Sequence, residues 1–275
     1  MTLELRESNI VKSNMHHKIV ITRPAKQSLK LISLFEQQGK QSVIFPMFEI
    51  AALTDFSALD QQLQRLQEFA LVVFVSPNAV DAFFARLHML GINRPQSLNL
   101  AVMGEASRAT LKRYGVDFER TTVISPTDKK KTDSETLLKE LDLAALTGHE
   151  VLVVRGDSGR DFFASSLRSA GVQVTQVASY RRVIPDFDQE RQHEFQALLE
   201  NATAWIVTSS EVLPRLLSWA EQLGGKTMVA KMQQQALFMP HARIAEKAEE
   251  LGFQSITLTA SGDENLALAL QSRYE

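Results

Sequence analysis

The sequence alternates short apolar, β-branched runs with amphipathic helical segments, and one such unit occurs twice. The stretch ALVVFVSPNAVDAF at residues 70–83 has a counterpart in AWIVTSSEVLPRLL at 204–217. In each, an apolar run of strand length is followed by a serine-centred polar turn and the start of an amphipathic helix. Strands that alternate with helices along a chain are typical of parallel sheets covered by helices. The sequence therefore predicts an α/β fold.

Two further pairs extend the repeat in the same order. AVMGEASRATLKRYGV (101–116) matches LFMPHARIAEKAEELGF (237–253), and DSETLLKEL (133–141) matches GDENLALAL (262–270). Three pairs in one order predict two related α/β domains. The length of 275 residues agrees, because domains of this kind usually hold about 150 residues.

Several other runs are predicted to be strands. EVLVVRG (150–156), TMVAK (227–231) and ALFM (236–239) have ordinary strand lengths. VQVTQVASYRRV (172–183) has about a dozen extended residues, whereas most strands have about 5–6. The extra length indicates that this run leaves one domain and acts as a connector.

Composition and missing motifs exclude several functions. Thirty basic and 32 acidic residues give a net charge of −2, which offers no basic surface for nucleic acid. The absence of cysteine excludes disulfides, thiolate metal sites and a cysteine nucleophile. No complete P-loop, dinucleotide-binding fingerprint or G-x-S-x-G elbow is present.

The sequence also gives no sign of a membrane or secreted protein. No run approaches the ~18 apolar residues of a membrane helix. Residues 1–17 lack the apolar core of a signal peptide and are interpreted as a polar leader. We therefore expect a cytoplasmic protein with no membrane partner.

The serine turns are candidates for ligand binding. In parallel α/β sheets, ligands bind outside the carboxyl ends of the strands, where backbone N–H groups at helix starts point outward. Ser76 and Asn78 are predicted at one such end, and Ser209 and Ser210 at its counterpart. Hydroxyl and N–H groups suit carboxylate or phosphate oxygens. The alternative is that these serines only cap helices.

Tyr180 stands apart from the turns. It lies in the long extended run VASYRRVIP, beside Arg181 and Arg182 and before Pro185. A tyrosine in a connector can meet a ligand, or it can fill a half-buried strand position with the arginines as surface charges. Both interpretations fit the sequence.

The ordered motifs resemble those of the uroporphyrinogen-III synthase family, in its bacterial branch. The resemblance is carried by seven segments over residues 18–272: VITRP, FVSPNAV, AVMGEASRATLKRYGV, DSETLL, VLVVRGDSGRDFFASSLRSAGVQVTQVASYRR, IVTSS and HARIAEKAEELGF. Each motif alone is loose, and their order makes the set specific.

The resemblance implies two α/β domains with a cleft between them, joined by a two-stranded linker. Mapped onto this chain, the first domain is discontinuous and holds 18–46 and 185–275. The second domain holds 53–178. The linker strands are 47–52 and 179–184.

The resemblance also implies a reaction. The family cyclises hydroxymethylbilane, a linear tetrapyrrole with eight carboxylates, to uroporphyrinogen III, with inversion of ring D and loss of water. It implies no cofactor and no metal, and it favours a monomer. Without the enzyme, the substrate closes without inversion to the type I isomer.

Site residues are carried over by motif match. Tyr180 matches the family's connector tyrosine and is the candidate to assist hydroxide departure, because a phenol is protonated at neutral pH and can donate. The candidates for substrate binding are Arg23, Ser76, Asn78, Ser107, Arg160, Ser209, Ser210 and His241. Ser107 stands where the family usually has threonine. Ile244 holds the equivalent corner of the other domain and cannot donate a hydrogen bond.

Two other functions fit the same pattern. A non-catalytic, intracellular two-domain binding protein or sensor for a small anionic ligand would have the same repeat. The second is a two-domain glycosyltransferase, which would need nucleotide-sugar contacts or a D-x-D metal motif. Turnover of substrate separates the synthase from the sensor.

Overall fold

The computed structural model describes residues 18–127 and 134–274 of the chain. The leader predicted for residues 1–17 lies outside this part. Within it, strands and helices alternate along the chain, and the strands form two sheets. The predicted α/β class is therefore confirmed.

The chain divides into two compact units. The described residues up to Glu49 join those from Ile184 onward as unit 1, and Ile50–Val183 form unit 2. Unit 1 is thus discontinuous in sequence, with unit 2 as an insertion. The chain crosses between units inside the segments 47–52 and 179–184; that these segments act as linkers stays a prediction.

Unit 1 contains a five-stranded sheet with strand order β11-β10-β9-β1-β2. Its elements are, in chain order, β1 (Lys18–Ile21), α1 (Ala25–Gln37), β2 (Gln41–Ile44), α8 (Gln189–Asn201), β9 (Ala202–Ile206), α9 (Val212–Gln233), β10 (Ala236–Met239), α10 (Ala242–Glu250), β11 (Ser255–Leu258) and α11 (Asp263–Tyr274). The paired strands run parallel.

The first strand is an interior strand of the unit 1 sheet, between β9 and β2. Val20 pairs with Val43 on one side and with Trp205 on the other. Its run IVI is almost fully buried, as expected for a parallel strand covered on both faces. On one face, Leu31 and Phe35 of α1 pack in the core, because residues four apart share one side of a helix.

Unit 2 contains a six-stranded sheet with strand order β3-β8-β7-β4-β5-β6. Its elements are β3 (Glu49–Ala51), which begins at the crossing, α2 (Ser57–Gln64), a 3₁₀ turn (Leu66–Glu68), β4 (Leu71–Phe74), α3 (Pro77–Leu90), β5 (Asn99–Val102), α4 (Glu105–Arg113), β6 (Val123–Ile124), α5 (Ser134–Glu140), α6 (Leu143–Leu146), β7 (Glu150–Gly156), α7 (Phe162–Ser169) and β8 (Gln173–Val183). Strands β4 to β8 pair in parallel.

Both faces of the unit 2 sheet are covered. Val72 and Phe74 belong to one apolar cluster, while Leu71 and Val73 belong to a second one. Side chains alternate between the two faces of a strand, so β4 supplies a core on each side. The carboxyl ends of β4, β5 and β7 therefore meet at one edge of a rigid, fully packed sheet.

One predicted strand is wrong. TMVAK (227–231) is helical, within α9, which continues to Gln233 past an interruption at Gly224 and Gly225. Gly225 has a φ of 60°, which lets the chain break and resume the helix. After the break, Met228 is partly buried and Met232 fully buried, which is the four-residue spacing of a helix face. Helical burial of these methionines outweighs the β propensity of the run.

Candidate functional site

In unit 2, the turns predicted to bind ligand lie at the carboxyl edge of the sheet. Ser76 follows β4, Ser107 follows β5 in the first turn of α4, and Arg160 follows β7. These three strands are neighbours in the order β7-β4-β5. Parallel strands end at the same edge, so their turns collect there.

Ser76 is the N-cap of α3. Its backbone is extended (φ −163°, ψ 162°), and its Oγ accepts a hydrogen bond from the Ala79 N–H at 3.2 Å. Pro77 follows as the first helical residue, where its missing N–H costs nothing. The capping role considered for this serine is therefore present. Ser76 remains partly accessible, so capping and ligand contact do not exclude each other.

Tyr180 lies beside Ser76. The phenol oxygen is 3.2 Å from Ser76 Oγ, a hydrogen bond in which either atom can donate. Tyr180 is only 3% exposed and belongs to the apolar cluster of α3 and β4. The two residues are 104 positions apart, and the sequence pattern did not predict their contact. The pair combines a proton donor with a partner that fixes its orientation.

The other unit 2 candidates differ in accessibility. Asn78 is partly buried in the first turn of α3. Ser107 is 2% exposed, so it faces the interior of unit 2. Arg160 is largely exposed, and its Nη1 lies 3.2 Å from Oε1 of Glu135 in α5. A substrate carboxylate would compete with Glu135 for this guanidinium.

In unit 1, Arg23 follows β1 and pairs with Asp263 at the start of α11. Arg23 Nη2 lies 2.8 Å from Asp263 Oδ1, and the two side chains are 13% and 14% exposed. The contact has the distance of an ion pair but not the angle of a hydrogen bond. Arg23 Nε and Nη2 are buried without a hydrogen-bond partner among the described residues, although buried N–H groups are nearly always paired.

Ser209 and Ser210 form the turn between β9 and α9. Both are partly buried. The helix begins two residues later, at Val212, and Glu211 in the N-cap position makes no side-chain capping hydrogen bond to it. The Ser209 carbonyl accepts from the Val212 N–H at 3.2 Å. Neither serine hydroxyl is hydrogen-bonded to another residue of the described ranges, so capping does not occupy them.

His241 holds the N-cap position of α10, after β10. Its Nδ1 lies 3.4 Å from Ser261 Oγ, which follows β11. Ser261 was not singled out from the sequence, although its position after the apolar run SITLT could have indicated a strand-end turn. In the same helix, Ile244 is buried, so this corner is apolar where unit 2 buries Ser107.

Charges at the two edges are largely balanced within each unit. Next to Arg160, the pKa of Asp161 is lowered by hydrogen bonds from the Ser165 hydroxyl and then from Gln176. Next to Asp263, the pKa of Glu264 is lowered, mainly by its hydrogen bond from Lys30. These carboxylates stay ionised beside the arginines. Hydroxyl and N–H groups therefore have to supply much of the binding of any anionic ligand.

The described ranges contain neither a candidate metal site nor a candidate membrane span. Residues 18–127 and 134–274 contain no group of three or more His, Cys, Asp or Glu placed to hold a metal ion. None of the helices in those ranges has both the length and the apolar composition needed to cross a bilayer.

Comparisons with known proteins agree with the motifs. A family model described as uroporphyrinogen-III synthase HemD matches residues 30–263. Uroporphyrinogen-III synthases of Salmonella typhimurium and Escherichia coli are 29% and 28% identical over 255 residues, which is 92% of this chain and 99% of each relative.

Solved structures are similar in fold. A mutant uroporphyrinogen III synthase of Thermus thermophilus has a TM-score of 0.62 and 16% identity, covering 93% of this chain and 96% of its own. The Helicobacter pylori protein described as uroporphyrinogen-III synthetase has a TM-score of 0.55 and 18% identity, covering 94% of this chain and 100% of its own. Since the family model matches most of the sequence, the chain belongs to the uroporphyrinogen-III synthase family.

Proposed function

We propose that this chain is a lyase that cyclises hydroxymethylbilane to uroporphyrinogen III, inverting ring D and releasing water, in tetrapyrrole biosynthesis. Membership of the family carries this proposal. The contact between Tyr180 and Ser76 at the carboxyl edge of the unit 2 sheet supports it, because it supplies a held proton donor where α/β proteins bind ligands.

The physical task of such an enzyme is to hold one conformer. The free substrate closes without inversion, so the protein must bring the substituted carbon of ring D to the cationic end of the chain. Holding reacting groups in place can lower a barrier by roughly 7–11 kcal/mol at the favourable limit. Exclusion of water protects the azafulvene cation, which water would otherwise capture.

Tyr180 assists the first step in this proposal. The carbon–oxygen bond of the hydroxymethyl group breaks, and its electron pair goes to the departing oxygen. A hydrogen bond or proton from the phenol stabilises that oxygen as it becomes water. Ser76 Oγ can donate to the phenol oxygen while it accepts from Ala79, which leaves the phenol proton for the substrate.

In this proposal, many weak contacts together bind the substrate carboxylates. Arg23 and Arg160 already face carboxylates of their own units, so neither is a free cation. The remaining proposed contacts are Ser76, Asn78, Ser107, Ser209, Ser210 and His241. Among these, the hydroxyls of Ser209 and Ser210 make no hydrogen bond to another described residue, and Ser107 is the most buried of these serines.

We also propose that the enzyme is a cytoplasmic monomer that needs no cofactor. The lack of cysteine in the sequence fits a reducing compartment, and the family resemblance favours a single chain. Gel filtration with light scattering measures the mass in solution. A mass of two chains at micromolar concentration would contradict the monomer.

The product isomer tests the function. Hydroxymethylbilane is generated in situ, the protein is added, and the oxidised products are separated into types I and III. Mostly type III supports the synthase. Type I at the protein-free rate would exclude it and leave a binding protein for a small anion.

A further inference from the structure

The long strand β8 contains a bulge next to Tyr180. Its pairing with β7 runs in regular steps from Glu150 opposite Gln173 to Arg155 opposite Ala178, and then Gly156 lies opposite Tyr180. Ser179 is therefore an extra residue with no partner on β7. Bulges of this kind re-aim the side chains that follow them.

The bulge decides which face of the sheet receives the phenol. Val177 and Tyr180 belong to the same apolar cluster, although they are three positions apart. In a regular strand, residues an odd number apart point to opposite faces, and a one-residue slip moves every later side chain to the other face. Ser179 thus brings Tyr180 to the face on which α3 and its N-cap Ser76 lie.

Contacts on both sides hold the bulge in place. Ser179 is 1% exposed, and its hydroxyl donates to the Arg155 carbonyl at 3.3 Å. The Asp157 N–H donates to the Tyr180 carbonyl at 3.0 Å. The Asp157 carboxylate accepts from the Arg182 N–H at 3.0 Å. The backbone is therefore fixed immediately before and after Tyr180.

Gly156 provides the space for the ring. A Cβ at this position would lie 2.9 Å from both Cε2 and Cζ of Tyr180 and 3.1 Å from the phenol oxygen. Real Cβ atoms essentially never come that close to another heavy atom, so either the ring or the strand would have to move. The reason for glycine here is the close approach of the tyrosine.

We infer that Gly156 and the bulge residue Ser179 are positioning residues, which set the Tyr180 hydroxyl against Ser76 for the reaction. This inference rests on the proposed function for its effect on turnover. The glycine-containing segment RGDSGR, which matches no nucleotide-binding fingerprint, gains a role as the support of the tyrosine.

A double-mutant cycle tests the inference. Gly156→Ala is expected to lower kcat to about the level of Tyr180→Phe, with a smaller change in KM. In the Tyr180→Phe background, Gly156→Ala should have no further effect, because the hydroxyl that it displaces is already absent. Wild-type turnover in Gly156→Ala, or losses that multiply in the double variant, would overturn the inference.

Ser179→Ala is the milder variant and covers the case in which Gly156→Ala does not fold. Loss of one hydrogen bond is expected to reduce kcat by about threefold to tenfold. In the Tyr180→Phe background the same substitution should leave kcat unchanged. Equal losses in both backgrounds would show that Ser179 acts independently of the tyrosine, which contradicts the inference.

A matched control is Gly224→Ala in unit 1. There, too, a Cβ would meet a side chain, 2.7 Å from Met228 Cγ, but Tyr180 belongs to the other unit. We expect its kcat to stay within about twofold of wild type, because most substitutions away from a site leave chemistry intact. A loss as large as that of Gly156→Ala would mean that any such glycine change disturbs turnover, and it would remove the support for positioning.

Fluorine NMR separates this inference from the proposed function. The chain has three tyrosines, so fluorotyrosine labelling gives three signals, and Tyr180→Phe identifies one. Gly156→Ala should move the Tyr180 signal and leave that of Tyr114 in place. If the wild type forms no type III isomer but the signal moves, the function fails and the geometry holds. If type III forms but neither the signal nor kcat changes, the inference fails alone.

Discussion

The serine turns of the two units share a sequence pattern but differ in what the hydroxyl does. In unit 2, Ser76 caps α3 and contacts Tyr180. In unit 1, α9 starts late, and the hydroxyls of Ser209 and Ser210 have no hydrogen-bond partner in the described ranges. A strand, a serine turn and a helix therefore fix where a hydroxyl lies, but not what it binds.

The difference lies in the position of the helix start. Ser76 stands one residue before the helix, where a side-chain oxygen can reach the Ala79 N–H. Ser209 stands three residues before Val212 and contributes its carbonyl instead. Unit 2 thus uses its serine for stability and for holding a tyrosine, whereas unit 1 leaves its serines available. Substitutions should separate these roles.

The largest effect is expected from Tyr180→Phe. Removal of the hydroxyl should lower kcat by a factor on the order of 10², the lower end of the range for a proton donor. Stability should fall by only about 1 kcal/mol, the value of one hydrogen bond. Turnover assays and urea unfolding measure the two quantities. Unchanged turnover would remove Tyr180 from the mechanism and leave the Ser76 turn purely structural.

Ser76→Ala should affect stability and activity together. Loss of the N-cap costs about 0.5–2 kcal/mol, and the phenol loses its partner, so kcat should fall about tenfold. Thermal unfolding by circular dichroism and the isomer assay check both. Ser76→Thr, which keeps a capping hydroxyl, is the control. A complete loss of activity in a folded Ser76→Ala protein would contradict the idea of shared weak contacts.

Ser209→Ala should affect activity alone. With no cap to lose, its stability should stay within about 0.5 kcal/mol of wild type, while KM rises a few-fold as one contact to a carboxylate is lost. Both tryptophans of the chain, Trp205 and Trp219, lie in unit 1, so their fluorescence reports the unfolding of this unit. A stability loss equal to that of Ser76→Ala would show that Ser209 stabilises its unit as Ser76 does, so that the two turns do not differ.

The smallest expected effect is a loss of stability at low pH that comes from one ion pair in unit 2. Arg86 donates to Asp60 through Nε at 2.7 Å and Nη2 at 2.5 Å, and this hydrogen bonding lowers the pKa of Asp60 below its ordinary value of 3.8. A carboxyl group whose pKa is lower in the folded state stabilises the fold at pH values above its unfolded pKa. This stabilisation is lost as the pH falls through the folded-state pKa.

Asp60→Asn should therefore lower the urea midpoint near neutral pH, and the midpoints of the two proteins should converge as the pH falls well below 3.8. Because both side chains are partly exposed, the difference should be about 1 kcal/mol or less. Turnover should not change. Arg86 also packs on Phe56, 4.4 Å from the ring centre. A difference in urea midpoint that persists at low pH would show that this packing, and not the charge of Asp60, accounts for the effect.

Much of the fold could be predicted from local patterns. The bounds predicted for EVLVVRG and ALFM match β7 and β10, because each is an uninterrupted apolar run between polar residues. The length of β8 was also visible in the sequence. The strand predicted at TMVAK was wrong, because the β propensity of the run does not show which methionines the unit buries.

The candidate site was less predictable. Positions of Ser76 and Ser209 at strand ends follow from the repeat, but partners such as Asp263 for Arg23 or Ser261 for His241 depend on chain segments far apart in sequence. The bulge at Ser179 has no sequence signature, and a single extra residue reverses the face of Tyr180. Register is set by packing of the whole sheet, which local patterns do not contain.

The position of β1 between β2 and β9 imposes an order on biosynthesis. Val20 pairs with Trp205, so at about 5–20 residues per second the ribosome needs roughly 10–40 s after making β1 to deliver its neighbour. All of unit 2 emerges within that interval and can close first. The nascent β1 meanwhile has no partner on the side where β9 will pair. Completion of unit 1 is therefore the last event of synthesis, and a chain released early would retain unit 2 while exposing an open strand.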